Sequence, residues 1–227
     1  MKTIIITWVS KGLWYALAEK FLAEGYAVVG ISRTKPDLAI EHITADLTDK
    51  DEIQLAIKTI KEKYSNFACL INNIGDGKAE KIDEVNFDTA DWALKINLLA
   101  PMLLTTGLIW IIKKNEADVI NIGATIGFKG YEHFTVYSSA KWGLRWLTEN
   151  LQVELKETKC RVIGIHPWWM ETPGNIWEQG RQEQMNKITG ENKSSTFMDP
   201  KDIAQIVYNA FVTPKNIEMS EIIINRK

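Results

Sequence analysis

The stretch TIIITWVSKGLW, residues 3–14, joins a run of β-branched residues to the start of a helical pattern. Continuous Ile and Thr character predicts a strand that is covered on both faces, as in a parallel sheet. The turn that follows brings backbone amides and the positive end of a helix dipole to a place where phosphate can bind. Small residues suit such a turn, yet Trp8 and Trp14 lie on either side of Gly12.

The alternation of short apolar runs with longer amphipathic ones continues along the whole chain. Seven runs predict strands, the third weakly: 3–7, 26–32, 41–46, 67–72, 117–123, 160–166 and 221–225. Five patterns predict helices: 11–24, 49–63, 87–114, 134–158 and 199–211. Asp49 and the pair Asp199 and Pro200 are typical helix starts. We predict a doubly wound α/β fold of the Rossmann type, with a mostly parallel sheet of about seven strands and helices on both faces.

Composition indicates one globular unit. The chain has 227 residues, 45% of them hydrophobic, which predicts a single domain over residues 1–227. Within it, residues 173–198 are rich in Gly, Asn, Gln, Ser and Thr and lack a strong period, so we predict a flexible substrate-binding flap there. The net charge of -2 gives no electrostatic footprint for nucleic acid.

The expected environment is the cytoplasm. Cys69 and Cys160 each lie in an apolar, strand-like run, which favours buried free thiols in a reducing compartment over one disulfide. The N-terminus MKTIIITW lacks the long apolar core of a signal peptide, and we expect no apolar run long enough to span a bilayer. No metal site and no membrane partner are predicted.

The most informative stretch is YSSAK, from Tyr137 to Lys141. Positions i and i+4 lie on one helix face, so the phenol and the ammonium can reach one site. A nearby cation stabilises phenolate and lowers a tyrosine pKa from its ordinary value of about 10. Tyr137 is therefore a candidate proton donor and acceptor near neutral pH. Taken alone, such a pair is more often an aromatic and a lysine on an ordinary amphipathic helix.

The surroundings of this pair resemble the short-chain dehydrogenase/reductase family over nearly the whole chain. The first turn, TWVSKGLW at 7–14, is similar to the family's TGxxxGxG, and NNIG at 72–75 is similar to its NNAG. Three shorter motifs also match: ADL at 45–47, KIN at 95–97 and HPWWMET at 166–172, the last similar to PGxxxT. Each motif is weak alone, but all of them in the family's order make a specific match.

The resemblance implies an oxidoreductase that transfers a hydride between a nicotinamide cofactor and a small carbonyl or alcohol. It is similar to 3-oxoacyl reductases, and relatives are commonly homodimers or homotetramers. Tyr137 is then the acid in reduction or the base in oxidation, Lys141 lowers its pKa and holds the nicotinamide ribose, and Asn97 anchors a water that relays protons. The hydride belongs to the cofactor, and the protein supplies orientation and proton transfer.

The resemblance also implies where the cofactor binds. Asp46 and Leu47 flank the adenine, Asn73 lies beside its ribose, and Thr172 binds the carboxamide. The complete implied set is Thr7, Ser10, Lys11, Gly12, Leu13, Arg33, Asp46, Leu47, Asn73, Tyr137, Lys141, Pro167 and Thr172.

The second predicted strand favours one of the two nicotinamide cofactors. NAD-preferring members usually end this strand with an acidic residue that binds the ribose 2′-hydroxyl. Here the strand VGISR ends in Arg33, and Lys11 adds a second cation before Gly12. These cations suit a 2′-phosphate, which Arg33 can bind in bidentate fashion. We therefore expect NADP(H) rather than NAD(H).

One departure from the family pattern affects catalysis. The family's catalytic serine normally lies thirteen residues before the tyrosine, and that position holds Ala124. Alanine cannot donate a hydrogen bond to a developing oxyanion, and losing one such donor costs on the order of a hundredfold in rate. Thr125 is adjacent, but neighbouring residues on a strand face opposite ways.

The tryptophans are a second departure. Trp8, Trp14 and Trp168 replace motif glycines, and Trp146 and Trp169 also fall where relatives commonly have glycine. Such overpacking costs roughly 1–3 kcal/mol per site. Three explanations are open: a pseudoenzyme whose pocket is filled with aromatics, tryptophans engineered to block that pocket, or a gene that reads UGA as glycine but was translated with UGA as Trp. We favour the third, because point mutations scatter replacements among several residue types.

Two alternative functions accompany these departures. A non-catalytic sensor or scaffold on the same fold is favoured by Ala124 and by the tryptophans. A purely structural oligomer is disfavoured, because such a protein has no need to keep Tyr137, Lys141 and Asn97 together.

Overall fold

The computed structural model describes residues 2–7, 12–170, 198–225 and 227. Its centre is a seven-stranded sheet with the order β3-β2-β1-β4-β5-β6-β7, and every neighbouring pair of strands is parallel. The strands are β1 Thr3–Thr7, β2 Ala27–Ser32, β3 Glu41–Thr44, β4 Phe67–Asn72, β5 Asp118–Ile122, β6 Val162–Pro167 and β7 Glu221–Ile224. The predicted doubly wound sheet is confirmed, and its order reverses between β1 and β4, where such folds bind ligands.

Helices connect the strands and cover the sheet. They are α1 Leu13–Ala23, α2 Lys50–Lys63, α3 Phe87–Leu94, α4 Ala100–Asn115, α5 Thr135–Leu155 and α6 Pro200–Val212. Both predicted helix starts are confirmed. The Asp49 side chain accepts from the backbone N–H groups of Asp51 and Glu52, and the Asp199 side chain accepts from Lys201.

Two apolar clusters lie on opposite faces of the sheet. Successive strand side chains point to opposite faces, so Ile5 of β1 joins the cluster under α2, α4 and α5. Ile4 and Ile6 join the cluster under α1 and α6. This division explains the continuous apolar character of TIIIT, because both faces of β1 are covered.

The predicted helix 87–114 is helical throughout, but it is not α-helical over its whole length. A π-helical turn, Lys95–Leu99, lies between α3 and α4 and carries Asn97. The side-chain Nδ2 of Asn97 donates to the Ala93 carbonyl at 2.9 Å, the group that would accept the backbone amide of residue 97 in an α-helix. The local widening is therefore tied to Asn97, as π-turns often are to functional residues.

This helical segment also corrects the expectation about membrane spans. Phe87–Asn115 forms 29 continuous helical residues with a mean hydropathy of 1.6 over an 18-residue window, which suffices to cross a bilayer by length and composition. Half of that window is buried, and α4 packs against α2, β4 and β5. Its apolar character is that of a core helix.

The two cysteines are buried free thiols, as predicted. Burial raises the pKa of Cys69 well above its ordinary value, and burial also raises the pKa of Cys160. Both thiols are therefore protonated at neutral pH and poor nucleophiles.

A buried ion cluster joins β5, β6 and the end of α6. Asp118 is fully buried, and its Oδ2 lies 2.7 Å from Nη2 of Arg161. Asp118 also contacts Lys215. The Arg161 guanidinium donates further to the carbonyls of Phe211 and Thr213, both at 2.6 Å. Each charge is paired, which is the condition for burying charges at tolerable cost.

Removing one partner of this cluster is expected to destabilise the fold. Asp118→Ala leaves Arg161 buried without its counter-charge and should lower the free energy of unfolding by about 3–5 kcal/mol. Urea unfolding measures the loss. The matched control is Glu62→Ala, which breaks an exposed pair with Lys58 and should cost less than about 1 kcal/mol. Equal losses in the two variants would contradict the assigned role of the buried cluster.

Candidate active site

The carboxyl ends of β1 and β4 are joined by a threonine. Oγ1 of Thr7, the last residue of β1, accepts the backbone N–H groups of Asn73 at 3.1 Å and Ile74 at 3.0 Å. Nδ2 of Asn73 also donates to the Thr7 carbonyl at 3.4 Å. These bonds hold the NNIG segment at the point where the strand order reverses.

A buried hydrogen-bond network aligns the two helices that carry the predicted catalytic residues. Nδ2 of Asn72 donates to Oγ1 of Thr105 on α4 at 3.0 Å and to Oδ1 of Asn121 on β5 at 2.8 Å. Nδ2 of Asn121 donates to Oγ1 of Thr148 on α5 at 2.9 Å. Sequence reasoning missed Thr105, Asn121 and Thr148 as positioning residues, although Asn121 lies three residues before Ala124, the position of the family's serine.

The three predicted catalytic residues lie together. Lys141 is only 3% exposed, and its Nζ donates to the Ile122 carbonyl at 3.1 Å. The same Nζ lies 5.8 Å from the centroid of the Tyr137 ring. Asn97 approaches from the π-turn, where its Nδ2 donates to the backbone carbonyl of Asp76 at 2.6 Å. The geometry thus matches the predicted association of these residues from two helices.

The loop after NNIG fits closely over this group. A Cβ at Gly75 would lie 2.6 Å from Nζ of Lys141 and 2.7 Å from Oδ1 of Asn97, and a Cβ at Gly77 would overlap the Tyr137 ring. Glycine is required at both positions because the backbone itself forms the contact. Oδ1 of Asn97 is buried and has no hydrogen-bond partner among the residues that the structure describes.

Burial perturbs the lysine. Loss of hydration lowers the pKa of Lys141 from its ordinary value to about 8, although the Asp76 carboxylate opposes that shift. The side chain therefore still carries its charge at neutral pH, beside the Tyr137 ring. A buried cation of this kind favours the phenolate form of a neighbouring tyrosine.

The predicted adenine site is a small cleft. Its volume is about 60 Å³, and its walls are residues 31–34, residues 45–48 and Ile74. Nη1 of Arg33 lies 3.9 Å from Oδ2 of Asp46. Burial raises the pKa of Asp46, but hydrogen bonds from Thr48 and the charge of Arg33 outweigh that effect and hold it below the ordinary value. Arg33, Asp46 and Leu47 are thus brought together as predicted.

A larger cavity lies elsewhere and does not contain the predicted residues. Its volume is about 610 Å³, and it is lined by Glu149, Gln152 and residues 218–222 at the start of β7. Parallel strands present ligands at their carboxyl ends, whereas this cavity is at an amino end. The small cleft is therefore the candidate cofactor site.

The first turn is described only in part. Gly12 precedes α1 with a φ of 79°, a conformation that favours glycine. Leu13 and Trp14 follow it, both buried, and Nε1 of Trp14 has no hydrogen-bond partner within the described ranges. Pro167 is buried at the end of β6. The remaining predicted positions, Trp8, Ser10, Lys11, Thr172 and nearly all of the flap 173–198, lie outside the described residues.

Comparison with known proteins identifies the family. The family model described as short chain dehydrogenase matches residues 2–183. The chain belongs to the short-chain dehydrogenase family. Members of this family are oxidoreductases, so the fold and the Tyr137–Lys141 arrangement lie within an enzyme family.

Individual relatives agree with this assignment. The chain is 25% identical to a sepiapterin reductase of Chlorobaculum tepidum, over 97% of this chain and 94% of the relative. The fold matches the closed form of a serine dehydrogenase complexed with NADP+, with a TM-score of 0.85, 18% identity and coverage of 98% and 94%. It also matches a 4-hydroxyisoleucine dehydrogenase complexed with NADH, with a TM-score of 0.84, 18% identity and coverage of 99% and 96%.

Ala124, at the position of the family's serine, does not lie on a strand together with Thr125, contrary to the expectation from the sequence. β5 ends at Ile122, and Ala124 is extended with φ of -165°, while Thr125 begins a short 3₁₀ turn, Thr125–Gly127. The premise that residues 124 and 125 alternate along a strand is therefore wrong, because the chain has already left the sheet. Thr125 is 8% exposed.

The perturbed lysine makes stability depend on pH in a defined window. Between pH 8 and 10.5 the unfolded chain keeps the Lys141 proton while the folded chain releases it, so the unfolded state binds more protons and stability rises with pH. Relative to Lys141→Met, the parent chain should gain up to about 3 kcal/mol across this window. Urea unfolding at about pH 7, 9 and 10.5 measures the difference.

The exposed Lys113 offers the matched control for that measurement. Lys113→Met should leave the pH dependence of stability over this window unchanged, because the replaced side chain is exposed and no buried charge is removed. If the free energy of unfolding of the parent chain and that of Lys141→Met changed equally with pH over this window, a buried ammonium at this site would be contradicted.

Proposed function

We propose that the catalytic residues of this chain are those of an NADP(H)-dependent reductase or dehydrogenase of a small carbonyl or alcohol substrate, with Tyr137 as the acid and base, and that the tryptophans at the motif-glycine positions block cofactor binding. The observation that carries this proposal is the buried Lys141 ammonium beside the Tyr137 ring, with Asn97 reaching the same point from another helix. Burying Lys141 removes its ammonium from water, and the hydrogen bond to the Ile122 carbonyl compensates only part of that cost. Stability alone therefore does not account for a lysine at this position.

The residues present fit a nicotinamide cofactor. The small cleft at residues 31–34 and 45–48 lies at the carboxyl end of β2 and carries Arg33 and Asp46, and the unpaired Oδ1 of Asn97 and the Gly75 backbone mark a polar cradle beside Lys141. Bound NADP(H) supplies the hydride. The proposed holding set is Thr7, Ser10, Lys11, Gly12, Leu13, Arg33, Asp46, Leu47, Asn73, Tyr137, Lys141, Pro167 and Thr172.

The protein's own chemistry is proton transfer. In reduction the Tyr137 phenol donates its proton to the carbonyl oxygen, and in oxidation the phenolate accepts the proton of the alcohol. The Lys141 charge stabilises the phenolate. A water anchored by Asn97, as the family resemblance implies, would return the proton through Lys141, and the unpaired Oδ1 of Asn97 among the described residues supports that role.

Preference for NADP(H) is supported by the cation at the rim of the cleft. The Arg33 side chain is 65% exposed and follows directly after Ser32, with no acidic residue at that strand end. Nη1 of Arg33 lies 3.9 Å from Oδ2 of Asp46. An arginine in this place can bind a 2′-phosphate in bidentate fashion. Solved structures that share the fold are complexed with NADP+ and with NADH, so the proposed preference rests on Arg33.

Assembly as a homodimer or homotetramer is part of the proposal. Large apolar side chains on α4 and α5 are exposed, with Trp110 at 68% and Val153 at 67% exposure. Exposed apolar side chains on these two helices would be covered if a second copy packs against them. We place the single domain in the cytoplasm, with no nucleic-acid or membrane partner and a 3-oxoacyl or similar small substrate.

The tryptophans favour a second candidate, a catalytically impaired protein on the same fold. Trp14 is fully buried with its indole N–H unpaired among the described residues, and an unsatisfied buried donor costs about 1–3 kcal/mol. Glycine at this position would remove that cost and the bulk beside the turn. This supports the proposal that UGA codons for glycine were translated as Trp, and UGG at codons 8, 14 and 168 would contradict it.

Cofactor binding tests these alternatives. The variant Trp8→Gly/Trp14→Gly/Trp168→Gly/Trp169→Gly should bind NADPH, and should bind NADH about tenfold or more weakly, because Arg33 loses a charged partner. The chain as written should bind neither. Fluorescence titration of both cofactors measures the constants, with Trp110→Gly on the exposed face of α4 as the matched control. Failure of the reverted form to bind would contradict the enzyme, and binding by the chain as written would contradict blockage.

Turnover tests the role of the tyrosine. In the reverted protein, Tyr137→Phe should lower kcat for NADPH-dependent reduction of ethyl acetoacetate by about 10²- to 10⁴-fold, because the proton donor is lost. The variant should still bind NADPH, so that the loss lies in turnover and not in cofactor binding. Tyr64→Phe removes a phenol at the end of α2, where it bonds Glu41, and should leave kcat unaltered. Similar rates for the two variants would refute Tyr137 as the acid.

A further inference from the structure

An apolar cluster surrounds the position that lacks the family's serine. Ala79, Ile126 and Phe134 form its buried centre, and four partly buried residues pack against them: Ala124, Tyr131, Tyr137 and Trp169. The cluster thus places the proposed acid Tyr137 and the alanine that cannot donate a hydrogen bond on the same small group of side chains. The cluster also contains the phenol of Tyr131, which has no role in the chemistry described above.

That phenol is held firmly by its ring and its backbone. The Tyr131 ring lies 6.0 Å from the ring of Trp168, and Nζ of Lys129 lies 5.1 Å from its centroid. The Tyr131 carbonyl accepts the backbone N–H of Phe134 at 3.3 Å. These contacts fix the side chain against the end of β6 and the start of α5.

The hydroxyl itself is unused. Oη of Tyr131 is buried and has no hydrogen-bond partner among the residues that the structure describes. Buried tyrosine hydroxyls are usually paired, and a phenylalanine would fill the same space without the desolvated hydroxyl. A donor that costs stability in the free protein is best explained by a partner that arrives with a ligand.

We propose that the Tyr131 hydroxyl is the second hydrogen-bond donor to the reacting oxygen of the substrate, replacing the serine hydroxyl that residue 124 lacks. This inference rests on the proposed function. As the hydride adds to the carbonyl carbon, negative charge develops on the oxygen, and Tyr137 gives that oxygen its proton. Tyr131 keeps its own O–H bond and stabilises the developing charge through a hydrogen bond.

Thr125 is the competing candidate for this role. It follows Ala124 directly and is buried, and it begins the 3₁₀ turn rather than continuing the strand. Tyr131 has a buried hydroxyl without a partner in the described residues, and it packs on the cluster that holds Tyr137. We therefore assign the role to Tyr131, and the variants below separate the two candidates.

Activity gives the first test. In a protein with only Trp8 and Trp14 returned to glycine, which keeps Trp168 and Trp169 beside Tyr131, Tyr131→Phe should lower kcat for ethyl acetoacetate about a hundredfold, with little change in the NADPH dissociation constant. Adding Ala124→Ser to Tyr131→Phe should restore most of the loss, because the serine supplies the missing donor. Thr125→Val should change kcat less than about threefold. Unchanged activity in Tyr131→Phe, or a large loss in Thr125→Val with none in Tyr131→Phe, would overturn the proposal.

Stability without cofactor gives an independent readout. In the chain as written, Tyr131→Phe removes an unpaired buried hydroxyl and should raise Tm by about 2–4 °C. A structural hydroxyl would lower Tm instead, and that result would overturn the proposal. Absence of turnover in the reverted parent that binds NADPH would overturn the proposed function and this role with it. If the parent turns over substrate and Tyr131→Phe turns it over equally fast, only the role of Tyr131 is overturned.

Discussion

Burial of the Lys141 ammonium is the constraint on which the rest of the site depends. A charge removed from water needs oriented oxygen atoms close by, and the end of β5 provides one through the Ile122 carbonyl. The Asp76 carboxylate adds favourable charge from the other side. The loop that brings Asp76 there must pass so close to the lysine that Gly75 has no room for a side chain.

Placing that lysine correctly requires α4 and α5 to be fixed relative to the sheet. The Asn72–Asn121 pair does this with neutral hydrogen bonds, reaching Thr105 on one helix and Thr148 on the other. Each bond is buried, so breaking one would leave an unsatisfied polar group in a low-dielectric interior. Such a network allows little sliding of the helices. This suits a site formed by Tyr137 and Lys141 of α5 and by Asn97 in the π-turn that leads into α4.

The sequence predicts the fold more completely than it predicts the site. Runs such as TIIIT and FACLIN identify strands because a parallel sheet covers both faces, and that periodicity is local. The π-turn at Lys95–Leu99 was not predictable in this way, because it depends on Asn97 meeting a loop 21 residues earlier in the chain. Spacing places Tyr137 and Lys141 on one helix face, but the unused hydroxyl of Tyr131 depends on tertiary burial that no local pattern encodes.

Trp14 shows that fold and function can be damaged separately in this architecture. Its indole is fully buried in the cluster shared by α1 and α6, so the core accepts the bulk even though the indole N–H remains unpaired. A large apolar contact offsets much of an unsatisfied donor, since burying an aromatic side chain contributes about 1.5–3 kcal/mol. In the proposed cofactor site the balance differs, because a turn that holds a phosphate needs its backbone unobstructed beside Gly12. Under that proposal, tryptophan in place of glycine at this turn spares the sheet and affects cofactor binding first.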